Sequence, residues 1–358
     1  MKLESVKVKQ VEIPLKKTFK TALREVKVLT TNIVEITADT GEVGFGEASP
    51  TAVITGDTLG SSKEAVEDYI FPHIKGMDIE DYEDIMIKIN KSMIKNTSPK
   101  AAVDMAVHDL FGQHFKMPLY KFFGGAKSEV ETDITVSVKE PESMAEDAVE
   151  YVNAGYKVLK IKVGLDSTLD IKRVKAIRDA IGYDIKLRLD ANQGWNAKEA
   201  VRSIRKLEDM GFDIELVEQP VPYWDIDGLK YVRDNVEIPI MADEALFSPF
   251  DAVKLLSMHA ADILNIKLMK CGGLYNAAKI NNAAESFGVN CMLGCMMESK
   301  VGITAAAAFA AGKANVNRAD LDTADLLAED PVDGGVKIVK NKLLLNSGCG
   351  LGIKGIRY

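Results

Sequence analysis

From Thr132 onward the chain alternates short β-branched or aliphatic runs with longer amphipathic segments, and it does so eight times. Parallel strands joined by crossover helices produce this pattern. The runs are Thr132–Val138, Lys157–Val163, Ile185–Asp190, Ile214–Glu218, Ile240–Asp243, Asp262–Lys267, Val289–Gly294 and Val316–Asp320. Between polar residues near their ends (Thr135 to Lys160, Lys162 to Asp190, Asp190 to Glu218, Glu218 to Asp243, Asp243 to Lys267) the intervals are 25, 28, 28, 25 and 24 residues. Each interval fits one βα unit, and eight units close a (β/α)-barrel of the TIM type. Such a barrel carries its chemistry at the C-terminal ends of the strands, where these polar residues fall.

The chain has 358 residues, more than one barrel needs, so a second unit is expected. Residues 1–125 read as an α+β capping domain. Strands at Val6–Ile13 and Leu29–Ala38 precede a turn at Asp39-Thr40-Gly41 and a return strand Glu42–Glu47. Helical spacing follows over 62–75 and 80–95, and Ser98-Pro99 predicts a third helix with Ser98 as N-cap and Pro99 as its first residue. The barrel is assigned to 126–328. The strand-like tail 329–358, chiefly Val336–Leu345, is expected to return to the capping domain.

Several function classes are disfavoured. A net charge of −8, with no basic stripe interleaved with aromatics, gives nucleic acid no electrostatic reason to bind. The charged start Met1-Lys2-Leu3-Glu4 lacks the apolar segment of a signal peptide, and Ala305–Ala311 is too short to span a bilayer, so a cytoplasmic protein without membrane association is expected. Cys271, Cys291, Cys295 and Cys349 have neither zinc-site nor C-x-x-C spacing and read as reduced thiols. A homo-oligomer is compatible with all of this.

Within Val158-Leu159-Lys160-Ile161-Lys162-Val163, alternation puts Lys160 and Lys162 on one face and the aliphatic residues on the other. The aliphatic face belongs against helices, so both lysines point into the barrel mouth. There, burial and a neighbouring cation are expected to lower an ammonium pKa until one lysine can act as a base. Asn265 and Lys267 share the inward face of strand six in the same way. Strand six stands opposite strand two in an eight-stranded ring, so Lys162 and Lys267 can approach one carbon from its two faces. Between them, Asp190, Glu218 and Asp243 end strands three, four and five, a hard-oxygen donor set suited to one Mg²⁺, with Asn192 and Glu244 shaping its surroundings. A single Asp often caps a helix, but three acids on consecutive strands need more than capping. His73, His108, His114 and His259 fall at no predicted strand end, so lysine is left as the base and the histidines read as structural.

These residues resemble the enolase superfamily, and within it the muconate lactonizing enzyme subgroup. The resemblance spans essentially the whole chain through Lys160-Ile161-Lys162, Asp190-Ala191-Asn192, Val217-Glu218-Gln219-Pro220, Ala242-Asp243-Glu244, Asn265-Ile266-Lys267 and Lys270-Cys271-Gly272-Gly273. Ala102–Leu110, Pro118-Leu119 and Gly124-Gly125 resemble that family's capping domain. The resemblance implies that Asp190, Glu218 and Asp243 bind Mg²⁺, that Lys162 or Lys267 takes the proton beside a substrate carboxylate, and that Lys160 helps stabilise the enediolate that forms.

Substrate must then be read from the last strands and the cap. Asp320-Leu321-Asp322 aims two carboxylates the same way from strand eight, an acidic pocket for an ammonium group, and similar pairs in dipeptide epimerases bind the free N-terminus of the peptide. Arg24, in the cap loop Phe19–Glu25, can clamp a side-chain carboxylate on the second residue. Phe19 and Ile54 supply apolar closure, and Thr135, Cys295 and Met297 line the rest. The implied activity is epimerisation of L-Ala-L/D-Glu-type dipeptides, an isomerase reaction suited to murein peptide metabolism. The alternatives are an o-succinylbenzoate synthase or N-acylamino acid racemase, and a barrel that only binds small acidic peptides through its metal.

Overall fold

The computed structural model describes residues 1–20, 25–125 and 127–358. Alternating apolar residues over the first segment build an antiparallel sheet of β1 (Leu3–Lys20), β2 (Glu25–Ala38) and β3 (Val43–Ala48), in the order β1-β2-β3. Its inner face is covered by the buried helix Thr97–His114. The two surfaces touch backbone to backbone: a Cβ on Gly46 would lie 1.9 Å from the Ala102 carbonyl oxygen. Only glycine permits that approach.

The cap helices depart from expectation in informative ways. The helix predicted to begin at Pro99 behind Ser98 as N-cap begins two residues earlier, at Thr97, and the Ser98 N–H donates to Asp57 Oδ2 at 3.1 Å, a remote carboxylate that local sequence does not reveal. The segment 62–75 is not one regular helix. It runs as α-helix Leu59–Glu64, a wider turn over Ala65–Ile70 and a tighter one at Phe71–His73, where Pro72 offers no N–H and crowds the preceding turn. The helix predicted over 80–95 stops at Lys91, and Lys95 and Asn96 turn the chain with φ of +55° and +49°.

The eight parallel strands are all present. After β4 (Glu129–Glu131) come β5 (Ile134–Val136), β6 (Val158–Lys162), β7 (Lys186–Asp190), β8 (Ile214–Glu218), β9 (Ile240–Ala242), β10 (Ile263–Lys267), β11 (Asn290–Gly294) and β12 (Val316–Asp320), neighbours in sequence order. Asp133 N–H donates to the Ala319 carbonyl at 3.3 Å, which brings the first and last strands together. Leu159, Ile161, Leu187, Leu189, Leu264 and Ile266 face outward into the apolar layer under the helices. Inside, Leu216, Met241, Ile263 and Met292 form a separate apolar floor. Beside it, with Nη1 3.7 Å from Met292 Sδ, Arg188 is held by Asp133 and Glu215, both at 2.7 Å. The polar residues at the strand ends therefore stand on a packed base rather than over a channel.

The tail pairs in two places. Strands β13 (Val332–Gly334) and β16 (Ile353–Ile356) pair with each other, whereas the hairpin β14 (Lys337–Val339) and β15 (Lys342–Leu344) adds to β4. Val336 and Leu343 are buried in the same apolar layer as the barrel helices. Contacts with the cap come later in the tail: Leu351 N–H donates to Asp109 Oδ1 at 2.8 Å, and Tyr358 Oη donates to Glu35 Oε1 at 2.6 Å.

Candidate active site

The inward column of β6 carries Lys160 below Lys162, both buried. Lys160 Nζ lies 2.6 Å from Glu218 Oε2, 2.7 Å from Asp320 Oδ2 and 3.0 Å from Asp190 Oδ2. Burial works against its charge, but Asp190, Asp320 and Glu218 together hold the ammonium well above the ordinary lysine range. Lys162 Nζ lies 2.6 Å from Asp190 Oδ2. Gly164, at φ +102°, turns the chain after β6 so closely that a Cβ there would be 2.2 Å from the Ala191 carbonyl. This close approach sets the exits of β6 and β7 side by side.

Across the ring, four strands from β6, Lys267 ends β10 with its Nζ 2.8 Å from Asp243 Oδ2. The expectation that burial lowers this ammonium is corrected here. Burial does oppose the charge, but Asp243 outweighs it, and Lys267 is held above its ordinary value. Burial does lower its neighbour Lys270. Fully buried in the short helix Leu268–Cys271, it bonds Asp243 Oδ1 and the Asp243 carbonyl. Alternation along β10 stops at Lys267, so strand periodicity gave no reason to single out Lys270.

Asp190, Glu218 and Asp243 are each at most 1% exposed. Burial alone would raise Asp190 and Asp243, but Lys160 and Lys162 for the first, and Lys267 and Lys270 for the second, hold them below the carboxylate range. Burial, reinforced by Asp190, pushes Glu218 up to about 8. Among the described residues no three carboxylate, imidazole or thiol groups are gathered around one point, because Lys160 Nζ spans Asp190 and Glu218. The donor chemistry nevertheless fits a hard dication. Three buried carboxylates stand on adjacent strands, and beside them Asn192 Oδ1 and Glu244 Oε2 are buried without a hydrogen-bond partner. Gln219, at φ +36°, braces this rim by accepting the Asp243 and Ala245 N–H groups at 3.0 and 3.1 Å.

The opposite rim is acidic. Asp320 and Asp322 are both buried and both face the mouth. Asp322 occupies the N-cap position of the helix Thr323–Leu326 but makes no capping bond; its Oδ2 accepts the Thr135 N–H at 2.7 Å instead. Burial, then Asp320, raises Asp322 to about 6. One cavity is lined by Phe19, Ile54, Thr135, Lys160, Lys162, Asn192, Lys267, Cys295, Met296, Met297, Asp320, Asp322 and Thr323. Cys295 Sγ is 3.6 Å from Thr323 Oγ1, and Met297 offers its carbonyl to Ser49 Oγ. Arg24 lies outside the described residues.

None of the four histidines lines the cavity. His108 is buried between the Asp104 carbonyl and Tyr82 Oη, and His114 bonds Glu80. The sequence reading missed a carboxyl pair behind the wall 295–297. Glu47, at the end of β3, accepts Ser299 N–H, Ser299 Oγ and Gly302 N–H at 2.7–2.9 Å, while Glu298 accepts only the Met296 N–H, at 2.7 Å. These two residues are 251 positions apart, and no local signal joins them.

Residues 3–124 match the family described as Mandelate racemase / muconate lactonizing enzyme, N-terminal domain, and residues 143–355 match Enolase C-terminal domain-like. The chain is 51% identical to the L-Ala-D/L-Glu epimerase of Clostridium acetobutylicum over 99% of both chains. It superposes with a TM-score of 0.99, at 48% identity and over the full length of both chains, on a substrate-liganded L-Ala-D/L-Glu epimerase from Bacillus subtilis. A dipeptide epimerase from Enterococcus faecalis, complexed with Mg and L-Leu-L-Tyr, gives 0.96 at 46% identity, covering 99% of this chain and all of that one. The chain therefore belongs to the mandelate racemase / muconate lactonizing enzyme family, with an enolase C-terminal domain-like barrel.

Proposed function

We propose that the protein is a Mg²⁺-dependent dipeptide epimerase that inverts the α-carbon of the second residue of L-Ala-L/D-Glu-type dipeptides. The observation that carries this reading is that Lys162 and Lys267 reach one cavity from opposite strands, four apart in the ring of eight, with a carboxylate rim on one side and the Asp320, Asp322 pair on the other. One lysine, as the free amine, accepts the α-proton; the other, as the ammonium, returns a proton to the opposite face, so either epimer is a substrate. Mg²⁺ bound by Asp190, Glu218 and Asp243 would supply the positive charge that anchors the substrate carboxylate and offsets the anion, Asp243, that now holds Lys267 charged. Lys160 adds a fixed cation where negative charge develops on that carboxylate. Asp320 and Asp322 receive the free amino terminus, and Phe19 and Ile54 keep water from the reacting carbon. Arg24 is assigned to the side-chain carboxylate of the second residue, which selects Glu or Asp.

The test is to incubate L-Ala-L-Glu with enzyme and Mg²⁺ in D₂O and follow α-deuterium and the L,D diastereomer. Deuterated L-Ala-D-Glu is expected, with N-acetyl-L-Ala-L-Glu a much poorer substrate. Exchange of the acetylated peptide alone would favour an acylamino-acid racemase, and no exchange in either would leave a peptide binder.

A further inference from the structure

Every earlier strand of the barrel is followed by a helix of 8 to 15 residues, whereas β12 is followed only by the four-residue helix Thr323–Leu326. A strand of the cap lies beside that short helix instead. β1 departs from its partner between Pro14 and Phe19, where Leu15, Lys16, Lys17 and Thr18 stand against Lys27 alone on β2. A bulge of this kind bends a strand away from its sheet. The bent strand meets the barrel on two sides. Ala328 N–H donates to the Pro14 carbonyl at 2.8 Å and Leu15 bridges Leu327, while Lys17 Nζ lies 2.7 Å from Glu150 on the helix Pro141–Ala154. Past the bulge, Lys20 N–H donates to Ser137 Oγ and the Lys20 carbonyl accepts the Val138 N–H, both at 3.2 Å.

Lys16 is the middle of this seam. Its Nζ lies 3.1 Å from Asp325 Oδ1 and also donates to the Asp325 carbonyl. The second carboxylate oxygen, Oδ2, accepts Tyr156 Oη at 2.8 Å, and Tyr156 is buried. Asp325 is thus held at three oxygen atoms by residues outside its own helix. Its N–H donates to the Asp322 carbonyl at 2.9 Å, which closes the turn that Asp322 begins. Asp322 is therefore fixed through its side chain by Thr135 N–H on β5 and through its backbone by Asp325. A single helical turn is unfavourable on its own, so four residues need anchors from elsewhere to keep this shape. Lys16 and Tyr156 are those anchors.

We infer that Lys16 and Asp325 are positioning residues for the amino-terminus site: through this pair the cap strand fixes the turn that presents Asp322 to the ammonium group of the peptide. The inference rests on the dipeptide reading and deepens it by naming what orients Asp322. Neither residue lines the cavity, so both act through Asp322 rather than on the peptide. A binding group is useful only when its neighbours hold it to within about 0.5 Å of the productive place. The role can be told from a simple effect of charge by its sign. As charges alone, Lys16 repels the ammonium group and Asp325 attracts it, so Lys16→Met would lower KM while Asp325→Asn would raise it. As holders of the turn, loss of either partner raises KM.

The test follows α-deuterium in L-Ala-L-Glu and in propionyl-L-Glu, which lacks only the amino group, with the full chain and Mg²⁺ in D₂O. In Lys16→Met and in Asp325→Asn the KM for L-Ala-L-Glu should rise about fivefold, with kcat within about twofold of the parent. The double variant should be no worse than either single one, because both remove the same contact. The KM for propionyl-L-Glu, which has no ammonium group to place, should stay within about twofold of the parent in all three. Lys16→Arg keeps the charge and should keep the parental KM. The Lys16 side chain is 55% exposed, so Lys16→Met leaves the core packing intact and tests the role even where Asp325→Asn fails to fold. A KM for L-Ala-L-Glu in Lys16→Met at or below the parental value, an equal rise for both compounds, or additive losses in the double variant would overturn the positioning role and leave the dipeptide reading standing. If the parent exchanges neither compound, or both with the same KM, the dipeptide reading fails and the positioning role with it.

Discussion

Glu298 is a buried carboxyl that the fold keeps at a cost, and replacing it should stabilise the protein. Burial, then the charge of Glu47, raises it from an ordinary 4.5 to about 8. A Cβ on Gly302 would lie 2.3 Å from Glu298 Oε2 and 3.0 Å from Glu47 Oε2, so the two carboxyls are close neighbours. The unfolded chain releases the Glu298 proton near 4.5, while the folded chain keeps it to about 8. Between those values the folded state binds the extra proton, so the contribution of Glu298 to stability falls as pH rises, by about 1.36 kcal/mol per pH unit. At pH 7 that amounts to up to about 3 kcal/mol. Glu298→Gln keeps the acceptor for Met296 N–H and puts an amide donor in place of an Oε2 that has no partner. Urea unfolding should show the variant more stable by about 3 kcal/mol at pH 7 and by less than about 1 kcal/mol at pH 5. Its turnover should be retained, since the wall 295–297 is not moved. A variant less stable than the parent at pH 7, or an advantage independent of pH, would refute the reasoning.

Two further outcomes follow from the same geometry. Asp322→Asn keeps an acceptor for Thr135 N–H but loses its charge, so KM for L-Ala-L-Glu should rise about tenfold or more in steady-state kinetics, while residual turnover of the N-acetyl peptide stays unchanged. Gly46→Ala forces a methyl against the Ala102 carbonyl, 1.9 Å away, and should cost about 1–3 kcal/mol or more, read as a drop in Tm of several degrees.

Much of the architecture is legible because strand alternation and spacing are local properties. Lys160-Ile161-Lys162 shows its own inward and outward faces, and the 24–28-residue intervals place each strand end. What sequence could not supply are partners brought from afar. Asp57 accepts the Ser98 N–H at the start of the helix Thr97–His114, and Glu47 meets Ser299 and Gly302 across the cap–barrel junction. The lysine environment was misjudged for a related reason. Periodicity says that Lys267 points inward, but whether burial or a carboxylate governs its charge depends on Asp243 Oδ2 lying 2.8 Å away. Lys270 was visible as part of the Lys270-Cys271-Gly272-Gly273 motif, but its bond to Asp243 was not, because it follows the strand in a four-residue helix where a period of two no longer applies.

The most direct test of the two-lysine account is α-proton exchange in single-lysine variants. With Lys267→Ala and Mg²⁺ in D₂O, one diastereomer of Ala-Glu should gain α-deuterium without inversion, because Lys162 still reaches one face of the carbon. With Lys162→Ala the opposite diastereomer should do so, and neither variant should interconvert the two. Epimerisation at the parental rate by either variant, or exchange of the same diastereomer by both, would contradict the account.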